Sequence, residues 1–381
     1  MPGISPKKIA GTLFAEDLHL HPPSGLIFGI AEADDDERSR DNWFPPIANF
    51  AHPERVGRGK IFVIDGARGG GEARELVMEG FEGGGGFVSH GVDLWWDADS
   101  PDRVIIFAVN HAVDAALHKQ GRKGVEVASS RVEIFEHVIG SGTARWLRSV
   151  VHEGIRTPND ILAVGEREFY VTNDHRYREG LWRALEDFGF EWARWSDVVR
   201  VRLDSLDEGG EVKVEDAMGL EHNPNGLAHG KEERDVVLGR AIAGVIALMK
   251  RRDNGTLEIV EEVQMPITVD NPVYFRDPYA KETGRDASGF IISGMSVANG
   301  FPAAEFLPSA VYLVSDRDGM AGKGSEREKK IIFQDDGHIM HTASTALIVA
   351  IDPKENARKK EGWLYVCGPL GKAAVRTKIE L

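Results

Sequence analysis

Three pairs of oxygen-bearing side chains, Glu16-Asp17, Asn159-Asp160 and Asp270-Asn271, each stand at the start of a short apolar run. Asn225, in Asn223-Pro224-Asn225-Gly226, and His90, in Ser89-His90-Gly91, occupy similar places. Taken in order, Glu16, His90, Asn159, Asn225 and Asp270 lie about 74, 69, 66 and 45 residues apart. One Asx residue ahead of a strand is ordinarily a turn or cap. Five at comparable spacing are what a radially repeated fold needs to bring polar groups to one point. A mixture of carboxylates and amide carbonyls suits calcium, a hard cation that takes six to eight oxygen ligands. The chain has one cysteine, Cys367, and no Cys/His cluster, so the donor set disfavours structural zinc.

The elements that must position such a set read as strands. Short apolar runs bounded by Gly, Asn, Asp and Pro recur at 60–65, 104–110, 131–137, 160–164, 169–172, 198–203, 241–250 and 257–263. They continue at 290–293, 310–315, 330–334, 346–351, 363–367 and 375–381. The clearest hairpin spans 241–263, because Asp253-Asn254-Gly255 accepts positive φ between two alternating runs. Helical periodicity is strongest over 177–195, from Tyr177 to Trp195, where Leu181, Trp182, Leu185, Phe188 and Phe190 form an apolar face with a break expected near Gly189. That face suits packing on the domain, a lid over a site, or association with a membrane or other hydrophobic surface. Residues 31–42 and 83–86 read as solvated loops without chemistry of their own. No linker divides the chain, so residues 1–381 are expected to form one all-β domain, a six-bladed propeller of four-stranded blades with a few short helices over one face.

Composition narrows the partners. With 42% hydrophobic and 28% charged residues the chain is globular rather than disordered. Its 61 acidic residues against 46 basic give a formal charge of -15, which repels nucleic acid and favours cations. The lone cysteine allows no intrachain disulfide. Residues 1–13 contain no long apolar run and no window is apolar enough to span a bilayer, so the expectation is a soluble, intracellular protein, with a removed leader or anchor left open. There is no Gly-x-Ser-x-Gly nucleophile elbow.

Seven segments go further: Ala15-Glu16-Asp17-Leu18, Ser89-His90-Gly91-Val92, Val109-Asn110-His111, Pro158-Asn159-Asp160-Ile161-Leu162-Ala163-Val164-Gly165, Phe169-Tyr170-Val171-Thr172-Asn173-Asp174-His175, Asn225-Gly226 and Val269-Asp270-Asn271. In content and order they resemble the paraoxonase (arylesterase/lactonase) family. The resemblance implies a propeller with two Ca2+ ions in its tunnel, one catalytic and one structural. It implies Glu16, Asn159, Asn225, Asp270 and Asn271 as ligands of the catalytic ion, and Asp17, Asp160 and the backbone carbonyl of Val92 as ligands of the deeper one. It implies His90 and His111 as a pair beside the upper ion, with Asp174 near the second histidine. A calcium ion with an open position would polarise a lactone or ester carbonyl, His90 would deprotonate the attacking water, and His111, oriented by Asp174, would relay the proton.

Departures from the family pattern are also visible. Animal members carry a hydrophobic leader and a ring-closing disulfide, so closure here is expected from residues 9–13 beside 375–381. The loop at 28–60 is long, the stretch 112–131 is extended, and Met295 stands where the pattern suggests a histidine. Other readings are a gluconolactonase-like sugar lactonase, a calcium-stiffened propeller that only binds, and an enzyme guiding a non-hydrolytic ring rearrangement. One geometric condition attaches to every metal reading. Neighbouring strand residues face opposite ways, so a pair such as Asn159-Asp160 can serve two sites only where the strand start is irregular.

Overall fold

A computed structural model describes residues 5–83, 85–188, 192–296, 301–316 and 327–381. The strands form six four-stranded antiparallel blades. The first blade holds β2 (Leu18–His21), β3 (Leu26–Glu32), β4 (Gly59–Asp65) and β5 (Arg74–Glu79). The second holds β6 (Ser89–Asp97), β7 (Ser100–Val113), β8 (Ala128–Val138) and β9 (Thr143–Val150). β10 (Pro158–Gly165), β11 (Glu168–Asn173), β12 (Ser196–Leu203) and β13 (Val212–Glu221) form the third. β14 (Pro224–His229), β15 (Asp235–Arg240), β16 (Val245–Arg251) and β17 (Leu257–Gln264) form the fourth. The fifth is β18 (Val273–Phe275), β19 (Gly289–Met295), β20 (Ser309–Ser315) and β21 (Lys329–Asp335). In the sixth, β22 (Thr345–Ala350), β23 (Glu361–Cys367) and β24 (Val375–Glu380) are completed by β1 (Lys7–Lys8) from the other end of the chain.

Burial explains why the blades close into a ring. Each pair of neighbouring blades shares one apolar cluster. Phe107 and Ile134 meet Ile161 and Val171 between the second and third blades, and Tyr170 meets Leu238 between the third and fourth. Similar clusters join the remaining pairs, including Leu347 and Tyr365 of the sixth blade with Leu18 and Phe62 of the first. Every such aliphatic or aromatic side chain contributes about 1.5–3 kcal/mol when fully buried. Six such interfaces close the ring. Outer strands instead show one wet face, as in β17, where buried and exposed positions alternate. The first two blades are further joined at their rims by a parallel ladder, Val77 opposite Thr143 and Met78 opposite Ala144.

Closure by the two termini is found, two residues earlier than expected. Lys7 and Lys8 pair with Arg376 and Val375, and Ile9 N donates to the Ala374 carbonyl at 2.9 Å. Thr12, inside the expected strand, instead accepts from Ala374 N through its hydroxyl at 2.8 Å and donates to the Ile9 carbonyl. The hairpin around Asp253-Asn254-Gly255 is β16–β17, with Gly255 at φ 84°. Its first strand starts at Val245 rather than 241, because 241–244 is the preceding turn, where Gly244 has φ 61°. The helix expected over 177–195 is found at Gly180–Phe188, while the break at Gly189 and the residue Phe190 lie outside the described residues. Among the described residues no helix is long and apolar enough to cross a membrane.

Candidate metal and catalytic site on the propeller axis

All six inner strands start at the same end of the tunnel, and three of them start irregularly. The β10–β11 ladder shifts register between Pro158 and Ile161, β14–β15 between Pro224 and Leu227, and β6–β7 between Ser89 and Val92. Each irregularity spans the residues singled out by type: Asn159-Asp160, Asn225-Gly226 and His90-Gly91. A bulge re-aims side chains that strict alternation would send to opposite faces. That satisfies the geometric condition set by the sequence.

Two glycines let the irregular starts approach one another. A Cβ on Gly91 would lie 2.5 Å from the Asn159 carbonyl and from Asp160 Oδ1. One on Gly226 would lie 2.4 Å from Asn271 Cα and 2.6 Å from its Oδ1. Gly226→Ala is therefore expected to push Asn271 off the axis, costing about 1–3 kcal/mol of stability and weakening cation uptake. Wild-type melting together with wild-type calcium uptake in this variant would show that the two blades are not held at contact distance.

Four oxygens at or just before these strand starts have nothing to accept from. Glu16 Oε2, Asn159 Oδ1, Asn225 Oδ1 and Asn271 Oδ1 are buried without a hydrogen-bond partner, while the Asn271 amide donates to Glu16 Oε1 at 2.9 Å and to Thr345 Oγ1 at 3.0 Å. Burial and the neighbouring charges of Asp270, Asp17 and Asp160 hold the Glu16 carboxyl well above its ordinary value. Burial, with Asp17 and Asp174 nearby, pushes Asp270 up to about 7. Orphaned buried acceptors and mutually repelling carboxylates are both costly without a cation between them. Among the described residues no three His, Cys, Asp or Glu side chains suffice to hold a metal. The three asparagine oxygens complete the set, and an all-oxygen set of carboxylates and amides fits a hard cation.

Asp17 and Asp160 lie one step along and are differently employed. Asp17 Oδ1 accepts from Leu18 N and Thr345 Oγ1, both at 2.8 Å, and its Oδ2 accepts from Val92 N at 3.0 Å. Asp160 accepts from Ile161 N and from Leu227 N, both at 2.7 Å, and burial beside Asp17 raises its carboxyl well above the ordinary value. These bonds tie the first blade to the second and the third to the fourth. His19 had no assigned role, yet its ring bridges Asp17 Oδ2 at 3.1 Å and Asp93 Oδ1 at 3.0 Å, and Asp93 accepts from Ala163 N at 2.7 Å. The lower pair is thus already partnered, in contrast to the upper set.

His90 and His111 form a pair. His90 Nδ1 lies 3.0 Å from His111 Nε2, and both rings are buried against the edge of Phe44. Burial takes His90 down to about 4 and His111 well below its ordinary value, so both rings are neutral at pH 7. Arg40 depresses both further. The expectation that Asp174 orients His111 is not met. Ser130 Oγ holds His111 Nδ1 at 2.9 Å, because Ser130 is its ladder partner on β8. Asp174 faces its chain neighbour instead, with His175 Nδ1 at 3.0 Å from Oδ1, and it accepts from the Asn159 amide at 3.5 Å.

The stretch 31–42 was expected to be solvated and without chemistry, and half of that is overturned. Asp34, Asp35 and Glu37 are exposed, whereas Arg40 is 3% exposed. Its guanidinium lies 3.8 Å over the Phe44 ring and donates to the Phe14 and Ser89 carbonyls, at 3.5 Å from buried Glu32. Trp43 Nε1 donates to the His111 carbonyl at 2.8 Å. This loop therefore covers the histidine pair.

A family model described as Arylesterase matches residues 40–281. The chain belongs to the arylesterase family. The matched stretch carries every candidate residue of this site except Glu16 and Asp17, which precede it. Human serum paraoxonase/lactonase 3 is 28% identical over 260 residues, 68% of this chain and 62% of that protein. The rabbit (Oryctolagus cuniculus) protein of the same name is 29% identical, covering 75% of this chain and 68% of its own length. The alignments thus span roughly three fifths to two thirds of the curated relatives' length. A solved PQQ-bound aldose sugar dehydrogenase from Streptomyces coelicolor superposes over 100% of this chain and 99% of its own at TM-score 0.50 and 11% identity, a likeness of fold alone. Met295, which stands where the family pattern suggests a histidine, accepts from Thr268 N at 3.1 Å and donates its backbone N–H to Thr268 Oγ1 at 3.0 Å, and adds no titratable group.

Proposed function

We propose that this arylesterase-family chain is a calcium-dependent hydrolase of lactones or aryl esters. The observation that carries the reading is the set of four unpartnered oxygens on Glu16, Asn159, Asn225 and Asn271, on the axis that also carries the neutral His90-His111 pair. Glu16, Asn159, Asn225, Asp270 and Asn271 would hold the upper ion. A bound calcium ion would supply Lewis-acid stabilisation for the negative charge that develops on a carbonyl oxygen when water attacks it.

The remaining steps belong to the chain's own side chains. Neutral His90 takes the proton from the attacking water, and the carbonyl of Pro158 is placed to accept a hydrogen bond from the protonated ring. His111 shares the hydrogen bond at Nδ1 of His90 and is itself fixed by Ser130, so the pair keeps one orientation through the cycle. Phe44 and Trp43 keep bulk water from the rings. Asp17 and Asp160 with the Val92 carbonyl would take a second, structural ion, which would have to displace the His19 ring from Asp17.

Turnover of γ- and δ-lactones and of phenyl acetate, with and without chelator, tests the reading when combined with a metal analysis of the purified protein. Chelator-sensitive hydrolysis and bound calcium are expected. Preference for sugar lactones alone would favour the gluconolactonase-like reading. Bound calcium without any hydrolysis would leave a binding or ring-rearranging propeller.

A further inference from the structure

The helix Gly180–Phe188 has the reverse of the polarity its sequence suggests. Arg183 and Glu186 are buried, while Leu181, Trp182 and Phe188 are exposed. Glu186 accepts from the backbone N–H groups of Arg176 and Tyr177 and from Ser196, which anchors the helix to the third blade. Arg183 has another direction. Its Nη2 donates to the Pro46 carbonyl at 2.6 Å, in the same loop that lays Trp43 and Phe44 over the histidine pair. Its Nε donates to both oxygens of Asp187 at 3.2 Å.

From Asp187 the contacts continue inward. Asp187 Oδ1 lies 2.8 Å from His175 Nε2, and His175 Nδ1 lies 3.0 Å from Asp174 Oδ1. Asp174 Oδ2 then accepts from Asn159 Nδ2 at 3.5 Å. These contacts lead from the covering loop to a side chain whose Oδ1 is one of the four free oxygens, the His175–Asp174 link being a close ion-pair contact without hydrogen-bond alignment. An amide whose NH2 is held by a carboxylate must present its carbonyl oxygen on the other side, so Asp174 decides which way Asn159 faces. Asp174 is buried near Asp270, where a second carboxylate is tolerable only if it is itself paired. His175 supplies that pairing and holds the Asp174 carboxyl below its ordinary value, while the flanking carboxylates of Asp174 and Asp187 raise the imidazole.

We propose that Arg183 and Asp187 are positioning residues for cation binding: through His175 and Asp174 they fix Asn159 with its oxygen toward the upper donor set, and they link that orientation to the loop that covers the histidine pair. The proposal rests on the calcium reading given above. Neither residue touches the donor set directly, and neither is needed to anchor the helix, which Glu186 does.

Calcium titration calorimetry of chelator-washed wild type, Asp187→Asn, Arg183→Met and the double variant tests it, alongside melting of the metal-free proteins. Loss of such outer partners typically weakens metal binding 10–100-fold. Each single variant is expected to weaken the upper ion by about tenfold, and the double variant by no more than either single, since both act through one string. A merely structural role would instead lower the metal-free melting temperature and leave the affinity unchanged. Asp187 is partly exposed, so Asp187→Asn is the variant expected to fold as the wild type does. Wild-type calcium affinity in both single variants, or additive losses in the double, overturns this proposal alone; a wild-type protein that takes up no calcium overturns it together with the hydrolase reading.

Discussion

Stripping divalent cations from the protein is expected to abolish lactone turnover and to lower its melting temperature, and the thermal loss should be larger at pH 8 than at pH 5. The carboxyls of Glu16, Asp160 and Asp270 are all raised in the metal-free fold, Asp270 to about 7. A carboxyl with a folded value above its unfolded one binds more protons in the native state, so stability falls as pH rises through that window. The window opens near pH 4, the ordinary carboxyl value, and for Asp270 closes near pH 7. A cation between the carboxylates removes the repulsion and with it the pH dependence. At a thousandfold excess over its dissociation constant, one ion contributes about 4 kcal/mol, roughly 5 °C for a chain of 381 residues. Calorimetry at the two pH values, with calcium and with chelator, measures both effects. Equal melting of the metal-free protein at pH 5 and pH 8, or turnover untouched by chelator, would contradict the cation reading.

Why the proposed donor residues could be singled out in the sequence follows from the same chemistry. Oxygen-bearing residues at blade-length intervals have no reason to recur unless the fold brings them together, and the irregular starts of β6, β10 and β14 follow from asking adjacent residues to face one axis. The ring itself was legible mainly through the third strands of its blades, β4, β8, β12, β16, β20 and β24, whereas of the inner strands only β10 and β22 read as apolar runs, because β2, β6, β14 and β18 are short or begin on polar residues. The outer strands β5, β9 and β13 were not legible, because charged residues such as Glu75, Arg145 and Lys213 interrupt any alternation. Cross-strand partners were equally hidden. Ser130 meets His111 only through the β7–β8 register, which no local pattern encodes, whereas the family resemblance pointed to Asp174. His19, one residue along β2 from Leu18, carries no local pattern that points to its two carboxylate partners.

Arg40 and the helix Gly180–Phe188 show a second kind of concealment. Hydrophilic composition predicts solvent, yet a guanidinium with an aromatic plate and three backbone or hydroxyl acceptors can be buried. The apolar face of the helix predicts packing, yet its charged residues have specific partners inside and its aromatics stack on one another outside, Tyr177 on Trp182 at 6.0 Å. Periodicity reports which residues share a face. It does not report which face has partners.

Replacing His90 by glutamine is expected to reduce kcat for lactones by about 10²–10⁴-fold, the usual contribution of a positioned general base, while leaving calcium binding and melting close to wild type. Glutamine has a similar reach and can keep a hydrogen bond to His111 Nε2, but it cannot accept the proton of an attacking water. The proposed calcium donors are separate side chains, so ion affinity should survive and the loss should fall on kcat rather than KM. His111→Gln keeps the base and removes its partner, so its loss should be smaller. Ser130→Ala should be smaller again, since it frees the ring of His111 without removing either imidazole. This ordering, His90 above His111 above Ser130, discriminates between a base with a supporting string and two equivalent residues. Single-turnover kinetics on calcium-saturated variants reads it directly, and wild-type kcat in His90→Gln would remove His90 from the reaction and leave the cation to act without a base from this pair.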